Sequence, residues 1–125
     1  MKLTGDLVRM LQALGDPTRL RLLNLLRGGE ICVCYFVEIL GEPQPKVSRH
    51  LAYLRRAGLV DVRRDGKWMH YKLAPAAHET VLDSILDAIA DDRQMVRDRL
   101  ALERACCAVR LPGTLQYAPR PHIES

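Results

Sequence analysis

The hydrophobic period of this chain switches from helical to alternating at one place, and that switch limits the fold more than any other feature. Up to Ala57, apolar residues recur at three- and four-residue steps, the period of helices that bury one face. From Leu59 they alternate. Leu59, Val60 and Val62 lead into Arg63-Arg64-Asp65-Gly66-Lys67, and Trp68, Met69, His70, Tyr71, Lys72 and Leu73 follow. Two short extended runs meeting at Asp65-Gly66 predict a β-hairpin, because that dipeptide readily takes positive φ in a tight turn. At Pro75 the helical period returns. Leu82, Ile85, Ile89, Val96 and Leu100 lie mostly on one stripe of a long helix reaching about Ala105, a helix–helix interface pattern.

Start and stop signals divide the first half. A helix from about Leu3 to Leu14 is closed by Gly15, and Asp16-Pro17 is a paired N-cap and first-turn signal for the next helix. That second helix carries Leu20, Leu22, Leu23, Leu25 and Leu26 and ends at Gly28-Gly29. Ile31 to Leu40 reads as a short apolar helix closed by Gly41, Glu42 to Pro45 as a turn, and Gln44 to Ala57 as a helix ended by Gly58. The predicted class is mainly α, a winged helix-turn-helix with a two-stranded β-hairpin wing. At 125 residues the chain holds one domain, assigned to 1–106, and 107–125 reads as an irregular tail containing Pro112, Gly113, Pro119 and Pro121.

Charge placement points to a polyanion. Residues 43–73 carry 8 Lys and Arg against 2 Asp and Glu, whereas residues 76–125 carry 6 against 8. In the predicted recognition helix, Val47, Leu51 and Leu54 are spaced to pack inward. Gln44, Lys46, Ser48, Arg49 and His50 are then left near the N-terminal end, where base edges and phosphates are read in a major groove. Arg63, Arg64 and Lys67 flank the hairpin tip, where a wing reaches the neighbouring groove. Aromatic residues make up only 5% of the chain, which disfavours a stacking-based single-strand binder. No nucleophile–base pair, phosphate loop or HExxH spacing suggests an enzyme. No apolar run nears the roughly 20 residues that span a bilayer, and charges enter too early for a signal peptide, so the expected location is cytoplasmic.

Four cysteines stand in two tight pairs, Cys32-x-Cys34 and Cys106-Cys107. In a reducing compartment such pairs read as metal or metalloid ligands, or as redox thiols, rather than as a disulfide framework.

Three segments together resemble the ArsR/SmtB family of metal-sensing repressors: Leu14-Gly15-Asp16-Pro17-Thr18-Arg19-Leu20, Glu30-Ile31-Cys32-Val33-Cys34, and Val47-Ser48-Arg49-His50-Leu51 continuing to Ala57-Gly58-Leu59-Val60. The resemblance covers about residues 3 to 103. It implies a homodimer, paired through its first and last helices, that binds double-stranded palindromic operator DNA and is released by a metal or metalloid. Two recognition helices would then lie about 34 Å apart, one turn of DNA. The Cys-x-Cys segment is similar to that of arsenic- or cadmium/lead-sensing members. Arsenical repressors often read Glu-Leu-Cys-Val-Cys-Asp-Leu there, where this chain has Ile31 and Tyr35-Phe36. Some members carry a third cysteine where this chain has Val37.

Trivalent arsenic or antimony is the expected inducer, because both are soft and accept two or three thiolates. Zinc and cadmium more often take four donors, commonly with His or carboxylate. The long helix offers Asp83, Asp87, Asp91 and Asp92, but His78 is its only histidine. Positions two apart do not face each other on a regular helix, so chelation by Cys32 and Cys34 would distort the helix start beside the DNA reader. Three arrangements stay open: a site at Cys106-Cys107, with the DNA-proximal pair contributing; sensing by Cys32-Cys34; and a two-thiolate site for a methylated arsenical. The first is favoured slightly. A thiol–disulfide switch, a cadmium or zinc sensor, and a metal-independent member with core thiols remain as alternatives.

Overall fold

The computed structural model describes residues 2–75, 79–107, 115 and 117–121. Six helices and three strands follow in the order α1 (Lys2–Leu14), α2 (Pro17–Leu26), β1 (Ile31–Cys32), α3 (Val33–Leu40), α4 (Gln44–Arg56), β2 (Val60–Asp65), β3 (Trp68–Leu73), α5 (Glu79–Ile89) and α6 (Arg93–Cys107). The fold is mainly helical with a winged helix-turn-helix at its centre. Among the described residues, no helix is long and apolar enough to cross a membrane.

Local signals set the element starts. Asp16 is extended at φ −145° and its Oδ1 accepts the Arg19 backbone N–H at 3.1 Å, which caps α2 while Pro17 opens it. Gly41 closes α3 at φ +66°, and its N–H reaches the Val37 carbonyl at 3.0 Å. That left-handed geometry is one that a glycine adopts without a Cβ penalty. Leu22, Leu23, Leu25 and Leu26 of α2, Tyr35 and Phe36 of α3, and Val47, Leu51 and Leu54 of α4 form one buried core. The inward spacing predicted for α4 is therefore borne out.

The structure departs from the sequence reading in four places. Ile31 and Cys32 are not helical: they form β1, which pairs antiparallel with β3 and makes the wing part of a three-stranded sheet in the order β1-β3-β2. Buried, β-branched Ile31 suits a strand, but a strand of two residues exists only because a distant partner supplies its ladder. The hairpin turn lies one residue later than expected. Asp65 pairs with Trp68, so Gly66 and Lys67 form the loop, and Gly66 supplies the positive φ of +59°.

The long C-terminal helix is interrupted between Ile89 and Arg93, because the Asp92 carboxylate accepts the Gln94 and Met95 backbone N–H groups at 3.0 and 3.4 Å and so starts a new helix. Its predicted start near Pro75, with His78, lies partly outside the described residues. Finally, Leu115 and Ala118, in the segment read as irregular, are buried in the core.

A polar network fixes α6 to α2. The Arg21 guanidinium donates to both oxygens of buried Asp98, at 2.8 and 3.0 Å, and Gln94 Nε2 donates to Asp98 Oδ1 at 2.8 Å. Asn24 Nδ2 reaches the Met95 carbonyl at 3.1 Å, and Arg99 Nη1 reaches Asn24 Oδ1 at 2.8 Å. The network holds α6 against α2, and α6 also packs on α3.

Candidate DNA interface and thiol site

Helix α4 enters on Pro43 with no side-chain cap; Pro45 carries no N–H, and the Lys46 and Val47 amides both donate to the Pro43 carbonyl at 3.1 Å, so the first turn is closed by its own backbone. Its buried face fixes which residues look outward. Gln44 and Arg49 are exposed, while Lys46, Ser48 and His50 are half-buried. Lys46 Nζ lies 3.2 Å from Glu42 Oε1. His50 is turned toward α2: its Nδ1 is 3.4 Å from Arg19 Nη1 and 3.9 Å from Asp16 Oδ1. The same Asp16 caps α2, so the start of α2 and the middle of α4 share one brace.

Three residues outside the sequence-based set join this surface. The Arg19 guanidinium stacks 4.1 Å from the Tyr53 ring centroid, and that of Arg56 lies 5.8 Å from it. Arg19, Tyr53 and Arg56 line one open groove with Lys46, Arg49 and His50. In the sequence, the available signal for Arg19 was its place three residues after the Asp16 cap; the stack on Tyr53 needs the tertiary fold.

At the wing, Arg63 is exposed and reaches both oxygens of Glu30, at 2.6 and 3.3 Å. This guanidinium holds the Glu30 carboxyl below its ordinary value. Arg64 Nε donates to the Gly66 carbonyl at 3.0 Å, and Lys67 Nζ sits 4.9 Å from the Trp68 ring centroid. Both side chains thus gather at the hairpin tip.

The thiols follow from the strand-to-helix junction. Cys32 is the N-cap of α3, with extended φ −70° and ψ 140°, whereas Cys34 lies within the first turn. The two cysteines therefore do not share a regular helix, which corrects the expectation that both lie on one helix from Ile31 to Leu40. Cys32 makes no side-chain capping hydrogen bond to the first turn of α3. Burial pushes the Cys32 thiol up to about 11; the Cys34 and Val33 amides oppose that rise and the Cys34 thiol adds to it.

Tyr35 follows immediately and is fully buried, with no hydrogen-bond partner for its hydroxyl. Burial pushes this hydroxyl above its ordinary range, the nearby Cys106, Cys32 and Cys34 thiols act in the same direction, and Arg120 opposes them. Cys106, near the end of α6, is half-buried against the core, and its carbonyl accepts Arg120 Nη1 at 3.1 Å. The α6 backbone ends at Cys107, whose side chain lies outside the described residues. Among the described residues, no three His, Cys, Asp or Glu side chains are close enough together to hold a metal ion. Cys32 and Cys34 stand two residues apart at the strand-to-helix junction, and Cys106 lies on α6, which packs against α3.

The thiol pair is also joined to the wing. Cys32 stands opposite His70 and Ile31 opposite Tyr71 on β3, and Arg63 of β2 stands opposite the same His70. On its other side, the pair begins the helix that leads through Gly41 into α4. The backbone at Cys32 is therefore joined by short paths both to the wing and to α4.

Comparison with known proteins agrees with this arrangement. The family described as "Bacterial regulatory protein, arsR family" matches residues 16–62. The arsenical resistance operon repressor of Escherichia coli is 48% identical over 69 residues, 54% of this chain, and the match spans 59% of that relative's length. The arsenic resistance transcriptional regulator ArsR2 of Pseudomonas putida is 38% identical over 88 residues, covering 70% of this chain and 76% of that protein. Among solved structures, the homodimeric winged helix-turn-helix DNA-binding domain Mb0332 of Mycobacterium bovis superimposes with a TM-score of 0.62 at 30% identity, covering 72% of this chain and 82% of that one. On the family match and a relative 38% identical over most of its length, this chain belongs to the arsR family of bacterial regulatory proteins.

Proposed function

We propose that the chain is a transcriptional repressor that binds double-stranded operator DNA as a homodimer and is released by trivalent arsenic or antimony on cysteine thiolates. Helix α4 enters the major groove, with Gln44, Lys46, Ser48, Arg49 and His50 at its N-terminal half, while Arg63, Arg64 and Lys67 reach the flanking groove. Val8 and Leu11 on α1 and Val81 on α5, all large and exposed in the single chain, support pairing of two copies through the terminal elements.

The observation that carries the sensing reading is the placement of Cys32 as the extended N-cap of α3 with Cys34 in the first turn, two residues on at the strand-to-helix junction. Arsenous acid condenses with these two thiols, forming two As–S bonds and releasing two waters; the third arsenic bond stays to a hydroxyl oxygen. Arsenic pulls the N-cap and first-turn sulfurs onto one atom, which changes the backbone of β1 and the entry of α3. The β1–β3 pairing and the α3–α4 turn transmit that change to the wing and the recognition helix. Moving the operator-bound fraction from about 99% to 1% requires the inducer to favour the released state by about 5.5 kcal/mol. Cys106 and Cys107 stand at the end of α6 as accessory thiols, which shifts the weight from the C-terminal pair to the junction.

The test is release of a fluorescent duplex, selected by the protein from a randomised pool, on addition of arsenite, antimonite, cadmium or peroxide. Release by arsenite and antimonite in reducing buffer is expected. Release by peroxide alone would establish the thiol–disulfide reading instead, and release by cadmium alone a divalent-metal sensor.

A further inference from the structure

The outward side of α4 carries a cationic stripe that runs past its DNA-reading end. Lys46, Arg49, Tyr53 and Arg56 recur at three- and four-residue steps, and from Lys46 to Arg56 the helix rises about 15 Å. With Arg19 these side chains wall an open groove of about 430 Å³. At Tyr53 and Arg56 the groove meets a second stretch, of about 230 Å³, that Arg9 and Gln12 of α1 complete. Among the described residues, no Asp or Glu lines either stretch. The cations are not equivalent. Arg19 spends its donors inside the fold: Nε reaches the Ala13 carbonyl at 2.7 Å, Nη2 reaches the Gln12 carbonyl at 3.3 Å, and the guanidinium lies 4.1 Å from the Tyr53 ring centroid. It ties the end of α1 to α4 and so fixes the spacing of the groove walls. Arg56 is exposed, 5.8 Å from the same ring, and among the described residues no carboxylate pairs with it. The Arg9 side chain is 68% exposed and lies 3.9 Å from Asp6, a weak surface pair that a phosphate displaces readily.

We propose that this groove seats the sugar-phosphate backbone of the duplex beside the half-site, with Arg56 and Arg9 as phosphate contacts and Arg19 as the positioning residue that holds Tyr53. This rests on the DNA-binding function proposed above and adds a contact separate from the reading end and the wing. With the first turns of α4 in a major groove, its C-terminal half rises past the strand that borders that groove. The strand carries one phosphate charge per nucleotide, and a cation-walled track answers that charge. A guanidinium fork donates two parallel hydrogen bonds to phosphate oxygens. Neither arginine touches a base edge, so the groove adds affinity and register without adding sequence preference.

The variants are Arg56→Gln and Arg9→Gln, and the readout is affinity for the selected duplex and for a scrambled duplex across a salt series. Each variant should weaken both duplexes by the same factor, about fivefold per lost contact at about 0.15 M salt. The slope of log affinity against log salt should become shallower by about one per protomer. A second measurement places single uncharged methylphosphonates beside the half-site. Neutralising the phosphate that an arginine meets should cost the native protein the same factor and cost the variant lacking that arginine nothing further. Unchanged salt slopes, or methylphosphonate losses that persist in full in both variants, would overturn the groove assignment while leaving operator binding intact. Weakening confined to the selected duplex would do the same, because it would place the arginines on bases. Native protein that selects no duplex would overturn the DNA-binding function and this assignment together.

Discussion

Removing Asp98 should loosen the attachment of α6 more than any other single truncation on that helix. The carboxylate is 2% exposed and accepts three hydrogen bonds, two from Arg21 and one from Gln94, all between 2.8 and 3.0 Å. In Asp98→Ala, Arg21 loses its bidentate partner and Gln94 loses its acceptor. Truncating one member of a buried ion pair costs about 3–5 kcal/mol, since the other charge is left enclosed and unpaired. The Arg21 side chain is 19% exposed, so water partly reaches it, which places the loss near 3 kcal/mol at the lower end of that range. For a chain of this length that corresponds to a fall of roughly 10 °C in Tm. Urea unfolding should be followed at one fixed protein concentration, because the stability of a dimer depends on concentration. Arg21→Met/Asp98→Leu should recover most of the loss, because an apolar pair leaves no buried charge. A loss below about 1 kcal/mol, or a double variant no more stable than Asp98→Ala, would refute the reasoning.

Three further outcomes follow from the same structure. Arg49→Ala should weaken binding to the selected duplex by roughly 10- to 100-fold and relax its sequence preference, while Lys67→Ala should weaken all duplexes alike and reduce the salt slope by about one; titrations at several salt concentrations separate the two. Because Arg63 lowers the folded-state pKa of Glu30, their pairing adds stability above the ordinary Glu value of 4.5 and loses it as pH falls through the lowered value. Urea midpoints measured across the acid range should therefore fall more steeply for the native chain than for Glu30→Gln. Leu11→Asp, at a side chain 49% exposed on α1, should leave the monomer folded and abolish the dimer in sedimentation, with operator binding lost alongside it.

Much of the fold was legible where one segment carries its own signal. The Asp16-Pro17 start of α2, the inward spacing of Val47, Leu51 and Leu54, and the hairpin around Gly66 depend on neighbours in the chain. Features that depend on distant partners were not. Ile31 and Cys32 read as helical because their strand exists only against Tyr71 and His70, some forty residues away. The interruption before α6 hinges on one carboxylate, Asp92, capping the next turn rather than facing solvent.

The candidate site divides in the same way. Its residue types were legible, and the basic cluster and the two cysteine pairs stood out on counting alone. The backbone that carries the first pair was not legible, because residues 31–40 read as one helix, whereas Cys32 is extended in a strand and precedes the helix that holds Cys34. The Arg19 stack on Tyr53 and the orphaned Tyr35 hydroxyl are tertiary facts that no spacing encodes.

The most direct test of the central claim is the operator-release midpoint for arsenite in three proteins: native, Cys32→Ser/Cys34→Ser, and Cys106→Ser/Cys107→Ser. The account predicts that the first double variant still binds the operator but no longer responds, while the second responds within a small factor of native. Full response from Cys32→Ser/Cys34→Ser, with loss in Cys106→Ser/Cys107→Ser, would contradict it and place the sensor at the end of α6.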